Sequence, residues 1–420
     1  MFETLTSTHE RGVEESVAFL HELLKEVRPR AFSVRLWEGT IVPATEGQPT
    51  RFTLVIRNPG ALRRMFSNPT ELALGEAYIY DDYDVEGDIE AAVMMGKALS
   101  TRLYSLRDRL LLGSLLRRLP DVEQRRNPAR SHIPGRLHSQ KRDRKAVQFH
   151  YDVSNEFYQQ FLDSRMMYSE AYFANLDDDL DSAQVNKLER ICRALRLQPG
   201  ERLLDIGCGW GGLILYAAEK YGVEATGITL SEQQAALARD RIRRAGLENR
   251  CRVELRDYRE LEDAGRFNKI ASIGMVEHVG AKKLFEYFRR ICRLLRPDGL
   301  FLNSGISRSI SPGPPREASF IDNYVFPDGE LEPIHEILCA AETAGFEVRS
   351  TENLREHYGL TLRWWVKRLE EHAAEVRRIT NDFTYRVWRL YMAGSAARFL
   401  SGGLNVFHTV LAPDRDGCER

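Results

Sequence analysis

No apolar run in this 420-residue sequence approaches the roughly 20 residues that a membrane-spanning helix needs, so no transmembrane segment is predicted. The first ten residues lack a basic segment followed by an apolar one, and we therefore expect no signal peptide and a cytoplasmic protein. Cysteine is scarce, and no C-x-x-C pair is present, which argues against a zinc site and a disulfide framework. An excess of one charge is also missing: the net charge is −1, and the composition gives no sign of nucleic-acid binding.

Charge is nevertheless distributed unevenly along the chain. Residues 1–96 contain 16 acidic and 9 basic side chains, whereas residues 101–145 contain 13 basic and 4 acidic ones. We predict three segments: an N-terminal domain over 1–100, a basic helix and linker over 101–145, and a larger domain over 146–420. Within the first segment, the Tyr- and Asp-rich stretch 75–90 is by its composition a solvated loop.

Leucines recur at helical spacing through the basic segment and are interleaved with arginines. The leucines are Leu103, Leu106, Leu110, Leu111, Leu115 and Leu116. Such a basic amphipathic helix is typical of an element that lies on a membrane surface. The same pattern also fits a helix that packs its leucines into a protein core and leaves its arginines in solvent, and the sequence leaves both readings open.

A glycine-rich turn follows a predicted strand near the middle of the chain. Residues 203–212 read Leu-Leu-Asp-Ile-Gly-Cys-Gly-Trp-Gly-Gly. Glycines at such a turn let the backbone pass close to a bound molecule, and Asp205 is placed to meet an ammonium group or a ribose hydroxyl. The spacing departs from the dinucleotide fingerprint and no P-loop lysine follows, so a pyrophosphate ligand is not favoured. An ordinary strand-to-helix turn of another α/β protein is the alternative.

Strands and helices alternate around this turn. Predicted helices cover 182–197, 213–220, 232–245 and 282–295, and predicted strands cover 202–206, 224–228, 251–256, 268–273 and 300–303. The alternation predicts an α/β fold with a doubly wound, mostly parallel sheet, which binds its ligand at the carboxyl ends of the strands. Thr229, Asp257 and Glu277 lie at such ends.

Several separated motifs resemble those of one enzyme family. The D-x-G-x-G-x-G pattern that begins at Asp205 is similar to motif I of the S-adenosylmethionine-dependent methyltransferases. Further motifs have the order and spacing of the cyclopropane-fatty-acyl-phospholipid synthases: His150-Tyr-Asp-Val-Ser-Asn155, Met167-Tyr-Ser169, Gly227-Ile-Thr-Leu-Ser231 with Gln234, Asp257-Tyr258 and Met275-Val-Glu-His-Val-Gly280. The stretch 75–90 is similar to the N-terminal domain of the phospholipid-acting members.

The resemblance implies a Rossmann-like class I methyltransferase domain behind a smaller N-terminal α/β domain, with S-adenosylmethionine as cofactor and no metal. The implied cofactor-binding residues are Tyr151, Tyr168, Ser169, Asp205, Gly207, Gly209, Gly211, Thr229, Gln234, Asp257 and Tyr258. Tyr151, Tyr168 and Ser169 are expected at the methionine carboxylate end of the cofactor. The backbone of Gly207, Gly209 and Gly211 is expected to approach its amino acid and ribose. Thr229 and Gln234, after the second strand, are expected at the ribose, and Asp257 and Tyr258, after the third strand, at the adenine.

The same resemblance implies a bound bicarbonate as the base that removes a proton after methyl transfer, held by a Cys, a Glu, a His and a Tyr. Glu277 and Tyr358 match two of these positions, but Glu170 stands at the Cys position and Ser304 at the His position. Because a carboxylate beside a bound anion is repulsive, we infer that Glu170 is itself the base and that Glu277 raises the pKa of the pair. Bicarbonate is kept as the alternative. His278, which follows Glu277, completes the catalytic candidates.

A base fixed in a new position favours a different product. We therefore prefer a methylene-branched (10-methylene type) acyl chain, because relatives that form 10-methylene fatty acyl phospholipids resemble this departure. The alternatives are a cyclopropane synthase that uses bicarbonate, a small-molecule methyltransferase, and a nonenzymatic lipid- or cofactor-binding protein. Unsaturated phospholipid is the expected partner, with peripheral contact at the inner face of the membrane. A homodimer and a reductase that acts on the product stay open as further partners.

Overall fold

The computed structural model describes residues 2–100, 102, 105–122, 138–151, 153–262, 265–310 and 319–414, and the side chains of 2–11, 100, 147–149 and 151 lie outside that description. The helices are α1 (Phe2–Leu24), α2 (Ala61–Ser67), α3 (Glu71–Ile79), α4 (Ile89–Ser100), α5 (Leu106–Arg118), α6 (Gln140–Tyr151), α7 (Asn155–Gln159), α8 (Leu180–Ala194), α9 (Gly212–Tyr221), α10 (Glu232–Arg244), α11 (Leu284–Leu294), α12 (Phe320–Tyr324), α13 (Ile334–Thr343), α14 (Arg355–Glu371), α15 (Ala373–Ile379) and α16 (Asp382–Leu400). The strands are β1 (Phe32–Arg35), β2 (Ile41–Val42), β3 (Phe52–Ile56), β4 (Tyr83–Gly87), β5 (Arg202–Ile206), β6 (Glu224–Thr229), β7 (Cys251–Leu255), β8 (Phe267–Ile273), β9 (Leu295–Arg308), β10 (Phe346–Asn353) and β11 (Leu404–Pro413).

The first compact unit consists of residues 1–130, 316–324 and 382–397. Its four strands form one sheet in the order β2-β1-β3-β4, in which β1 and β3 are parallel and the two outer pairs are antiparallel. The sequence analysis placed the two later segments in the third predicted segment. One physical reason for their place here is that Arg386 of α16, which is 5% exposed, donates a hydrogen bond to Asp84 of β4.

The stretch 75–90 is not the solvated loop that its composition predicts. It contains the end of α3 and the whole of β4, and Tyr78 and Asp82 are almost completely buried. The Tyr78 hydroxyl accepts a hydrogen bond of 2.9 Å from Arg389, and Asp82 accepts one of 2.6 Å from Arg64. These polar groups are buried because arginines of the same unit satisfy them, and composition cannot reveal that pairing.

Helix α5 confirms that the leucine-rich basic segment is helical, and Ser105 caps it by accepting a hydrogen bond from the Asp108 backbone N–H. None of its residues is buried, and Leu106 and Leu110 are 75% and 66% exposed. Leu106 and Leu110 thus do not pack into a core, whereas Leu115 and Leu116 are half-buried and Leu103 lies outside the described residues, so both readings of this helix stay open. In the part of the chain that the structure describes, no helix combines the length and the apolar character of a membrane span.

The second compact unit, residues 131–315, 325–381 and 398–420, contains a seven-stranded sheet in the order β10-β11-β9-β8-β5-β6-β7. The strands from β9 to β7 are parallel to their neighbours, whereas β11 is antiparallel to both β9 and β10. On strand β5, Leu203 belongs to the buried cluster that includes residues of α8, α9 and α10, and Leu204 belongs to the cluster that includes residues of α11 and α13. This arrangement confirms the predicted α/β fold with a doubly wound, mostly parallel sheet.

The sequence analysis does not predict β10 and β11. Strand β11 lies between β9 and β10, and it pairs with a strand about one hundred residues earlier in the chain, with Thr409 opposite Asn303. Local periodicity carries no information about such a partner. The two unpredicted strands matter for the site, because β11 brings a histidine beside β9.

Candidate active site

The carboxyl ends of β5 to β8 surround a cleft in the second unit. The predicted site residues that line it are Tyr168, Ser169, Asp205, Gly207, Gly209, Thr229, Gln234, Asp257, Tyr258 and His278. Gly211, Glu170, Glu277 and Tyr358 are not among its lining residues. The side chain of Tyr151 lies outside the described residues. The structure thus brings most of the predicted cofactor-binding residues to one end of the sheet, where a parallel sheet binds its ligands.

The glycine turn presents bare backbone to this cleft. Gly207 and Gly211 have φ values of +80° and +79°, in the left-handed region that favours glycine. On the facing strand β6, a Cβ on Gly227 would lie 2.7 Å from the sulfur of Cys208. The turn therefore packs against β6 without room for a side chain. Gly211 forms the N-cap of α9 in a left-handed conformation and contributes to the shape of the turn without lining the cleft.

Asp205 places a buried carboxyl group in the cleft. The residue is 3% exposed, and burial raises its pKa to about 7, although the charge of Lys187 acts in the opposite direction. At the end of β6, the Thr229 hydroxyl donates a 2.8 Å hydrogen bond to the side-chain oxygen of Gln234 and so orients this amide. A carboxyl group of this kind gains its charge most readily when a positively charged group binds beside it.

Asp257 is already engaged by a neighbouring side chain. Arg259 donates hydrogen bonds of 2.9 and 2.7 Å to its two carboxylate oxygens and also lies 3.0 Å from Asp143 of α6. Burial disfavours the Arg259 charge, but the hydrogen bond and the charge of Asp257 outweigh it, so the pKa of Arg259 is raised. Arg259 and Asp143 line the cleft as well, and the sequence analysis named neither of them. Tyr258 lies in the cleft and packs edge-on against Tyr287.

The segment 167–169 is held from two sides. The Tyr168 ring stacks on Trp365 of α14 with 5.1 Å between ring centroids. Lys187 of α8 is fully buried and donates a 2.9 Å hydrogen bond to the Ser169 hydroxyl. Tyr168 and Ser169 therefore lie at the cleft wall, as predicted, and a buried cation that the sequence analysis did not identify supports them.

Glu170 follows directly and is 1% exposed. Its Oε1 accepts a 3.0 Å hydrogen bond from the Ser304 hydroxyl of β9 and lies 2.5 Å from Nε2 of His408 on β11. Burial raises the pKa of Glu170, but the hydrogen bond and charge of His408 and the charge of Lys187 outweigh this effect, and the pKa is lowered. The expectation that Glu277 raises the pKa of both carboxyl groups is therefore wrong for Glu170, which is a carboxylate at neutral pH.

Glu277 behaves in the opposite way. Its Oε1 accepts a 2.7 Å hydrogen bond from the backbone N–H of Ile306, while Oε2 is buried without a hydrogen-bond partner among the described residues. Burial raises the pKa of Glu277 to about 7, and the charge of Glu170 adds to this shift. Ser304 and Ile306 are two residues apart on β9, so both carboxyl groups approach the same short segment of that strand. The carboxyl group of Glu170 is thus ionised at neutral pH, whereas the raised pKa of Glu277 allows its carboxyl group to hold a proton near that pH.

Tyr358 and His278 are the remaining two catalytic candidates. Tyr358 is on α14, with its ring packed against Phe399 and Trp365, and Thr361 of the same helix accepts a hydrogen bond from the backbone N–H of the residue after Glu170. His278 lines the cofactor cleft, and burial lowers its pKa to about 4, so its imidazole is neutral at pH 7. No recorded hydrogen bond links His278 to Glu170 among the described residues.

Lys187 and His408 belong to the site but are not among the residues predicted from the sequence. Lys187 has a signal in the sequence, because it lies one turn after Ala183 on the stripe of α8 that is completely buried. A lysine on an apolar stripe indicates a charge that needs a buried partner. His408 has no comparable signal, because only the pairing of β11 with β9 places it beside Glu170.

The seven-stranded sheet with its one reversed strand β11, the glycine turn after β5 and the polar cleft at the strand ends define a class I S-adenosylmethionine-dependent methyltransferase. The chain belongs to the mycolic acid cyclopropane synthetase family, whose model matches residues 138–409. Residues 19–101 match a second model, described as a domain of unknown function.

Named relatives agree with this assignment. The chain is 38% identical over 389 residues to a probable fatty acid methyltransferase of Pseudomonas putida, covering 91% of this chain and 92% of that protein. It is 35% identical over 281 residues to the cyclopropane-fatty-acyl-phospholipid synthase of Escherichia coli K12, covering 66% of this chain and 70% of that protein. The structure of the mycolic acid cyclopropane synthase CmaA1 complexed with SAH and CTAB superimposes with a TM-score of 0.61 at 32% identity, covering 64% of this chain and 97% of that one.

The chain is therefore an S-adenosylmethionine-dependent methyltransferase that acts on lipid acyl chains. The cleft fits this cofactor on its own chemistry. The buried carboxyl group of Asp205 suits the cofactor's ammonium group, the oriented amide of Gln234 suits its ribose hydroxyls, and the bare turn at Gly207 admits it close to the backbone.

Proposed function

We propose that this enzyme converts a double bond in the acyl chain of an unsaturated phospholipid into a methylene branch, with Glu170 as the base. The observation that carries the proposal is the carboxylate of Glu170, which is buried and tied to β9 and β11 by Ser304 and His408. Glu170 stands at a position whose counterpart in the resembled family holds the bound bicarbonate, and a carboxylate there would repel that anion, which supports the proposal.

When bound, S-adenosylmethionine supplies an activated methyl group. Addition of that group to an alkene leaves a positive charge on the neighbouring chain carbon. A hydride shift moves the charge to the carbon that carries the new methyl group, and loss of a methyl proton there forms the methylene double bond. Loss of the methyl proton before the shift closes a three-membered ring instead, so timing separates the two products.

A tethered base favours the later proton loss. Glu170 is covalently fixed to the chain, and Ser304 and His408 hold its Oε1, so its carboxylate reaches only a proton that comes within the short range of its side chain. The hydride shift therefore precedes proton removal. The lowered pKa of Glu170 does not hinder this step, since a carbocation is a far stronger acid than any carboxylic acid. The requirement on the base is to be ionised and in reach.

The test is to incubate the purified enzyme with S-adenosylmethionine and vesicles of mono-unsaturated phosphatidylglycerol, and to record proton NMR spectra of the released fatty acids. Exomethylene signals are expected, at the same rate in bicarbonate-free buffer and in buffer with added bicarbonate. Upfield cyclopropane signals would contradict the methylene product. An absence of new carbon in the lipid would contradict the phospholipid substrate and favour a small-molecule methyltransferase.

A cyclopropane synthase that uses bound bicarbonate is the second candidate, and Glu277 favours it. The pKa of Glu277 is raised to about 7, and its Oε2 has no hydrogen-bond partner among the described residues. A protonated carboxyl group there is able to donate a hydrogen bond to an anion. We rank this candidate second because the charge of Glu170 lies beside the same strand segment.

We also propose that α5 contacts the lipid surface, at the inner face of the membrane. Leu106, Leu110 and Leu111 are exposed by 75%, 66% and 42%, and Arg107 and Arg109 are exposed between them. Apolar side chains flanked by arginines suit the boundary between acyl chains and anionic head groups.

The double variant Leu106→Glu/Leu110→Glu is expected to bind anionic phospholipid vesicles at least about tenfold more weakly than the wild type, because it removes apolar insertion and adds repulsion. Co-sedimentation with phosphatidylglycerol vesicles measures the effect. Leu176→Glu is the matched control, since Leu176 is 88% exposed and lies in the second unit. Equal binding by the double variant and the control would exclude α5 as the contact.

A further inference from the structure

His408 is the side chain in closest contact with the proposed base. It lies on β11, which pairs antiparallel with β9, and it stands directly opposite Ser304 in the register. Side chains of directly opposed residues project to the same face of a sheet. Both side chains therefore reach Oε1 of Glu170, Ser304 at 3.0 Å and His408 at 2.5 Å. His408 is 7% exposed, so its imidazole is withdrawn from bulk solvent.

The contacts from Ser304 and His408 involve only one of the two carboxylate oxygens of Glu170. Both side-chain hydrogen bonds that the described residues make to Glu170 end on Oε1. No side chain among the described residues donates a hydrogen bond to Oε2, which makes Oε2 the oxygen better placed to receive a proton. Two donors on one oxygen also restrict rotation of the carboxylate, because rotation would break both bonds.

The surrounding charges keep Glu170 ionised. Burial by itself raises the pKa of this carboxyl group, and the hydrogen bond and charge of His408 provide the largest opposing effect, followed by the charge of Lys187. Two further titratable groups sense the charge of Glu170: Glu277, whose pKa it raises, and His357 of α14. His408 is the only one of these groups with a recorded hydrogen bond to the Glu170 carboxylate within the described part of the chain.

We propose that His408 is a positioning residue for proton removal, which holds Glu170 as a carboxylate and leaves its Oε2 free to take the proton. This proposal rests on the proposed function. In the step itself, a C–H bond of the transferred methyl group breaks and its electron pair enters the new carbon–carbon double bond. The proton goes to Oε2, and Glu170 becomes a neutral carboxylic acid that still accepts its hydrogen bonds at Oε1.

The test compares His408→Phe, which removes the hydrogen-bond donor and the ionisable ring, with His408→Gln, which keeps a donor without an ionisable group. We expect His408→Phe to lower kcat about 100-fold while KM for S-adenosylmethionine stays within about threefold of wild type. The acid limb of its pH profile should move upward, because burial of Glu170 is then opposed less and the carboxylate forms only at higher pH. His408→Gln should recover about a tenth of the wild-type rate. His335→Gln, an exposed histidine on α13, is the matched control.

The outcomes separate this proposal from the one on which it depends. If the wild type forms no methylated lipid, the proposed function fails before the variants are compared. If the wild type is active and both His408 variants keep its rate and its pH profile, the role of His408 is refuted. Calorimetry of S-adenosylmethionine binding identifies a variant that does not fold. If His408→Phe does not fold, the test rests on His408→Gln alone, and a wild-type pH profile in that variant overturns the proposal.

Discussion

Glu170→Gln is expected to lose product formation by about 10²- to 10⁴-fold while it still binds S-adenosylmethionine with near wild-type affinity. Glutamine keeps the size of the side chain and can still meet Ser304 and His408, but it cannot accept the proton. Glu170 is also absent from the residues that line the cofactor cleft. Single-turnover NMR of the lipid product and calorimetry of cofactor binding measure the two quantities separately.

Glu342→Gln is the matched control for this substitution, because Glu342 is exposed on α13. The control should keep the wild-type rate. A Glu170→Gln variant with near-normal activity would remove Glu170 as the base. If added bicarbonate restored activity to that variant and also accelerated the wild type, the anion mechanism would replace the one proposed here.

Lys187→Met is expected to lower the free energy of unfolding at pH 7.5 by about 3–5 kcal/mol, because it leaves buried carboxyl groups without their cation. Lys187 is fully buried, and the charges of Glu170, Asp163 and Asp205 favour its charged form against the effect of burial, which lowers its pKa. Urea unfolding monitored by circular dichroism measures the change. Lys220→Met is the control, since Lys220 is exposed on α9 and its loss should change stability by less than about 0.5 kcal/mol.

The deficit of Lys187→Met should shrink at pH 5. Without the lysine, the pKa values of Asp163 and Asp205, which burial already raises, rise further in the folded state, and that of Glu170 rises from its lowered value; in the unfolded state all three stay near their ordinary values. A carboxyl group whose folded-state pKa is raised stabilises the fold at low pH and loses that contribution as the pH rises. The gap between variant and wild type therefore widens from pH 5 to pH 7.5. A gap that is independent of pH would show that Lys187 acts through packing alone.

The comparison of Glu170 with Glu277 shows where reasoning from sequence reached its limit. The motifs identify both residues, and the sequence predicts a raised pKa for both carboxyl groups. The structure divides them: burial raises the pKa of Glu277 to about 7, whereas His408 and Lys187 lower that of Glu170. A pKa depends on all charges within a few ångströms, and those charges come from β11 and α8.

The sequence by itself determined the alternation of strands and helices, the turn at 207–212 and the polar residues at the strand ends. These features depend on local backbone preference and on hydrophobic periodicity, and both are set by residues that are close together in the sequence. It also determined the cofactor, because the motifs that bind it are short and contiguous. The described residues place nearly all of the predicted cofactor-binding set around one cleft.

Only the tertiary structure decided what surrounds the base. His408 and Glu170 are 238 residues apart in the chain, and they meet because β11 inserts between β9 and β10. Likewise, Lys187 is a buried cation only because α8 packs this face against the sheet beside Ser169. Strand pairing and helix packing follow from the lowest free energy of the whole chain, so no local pattern records them.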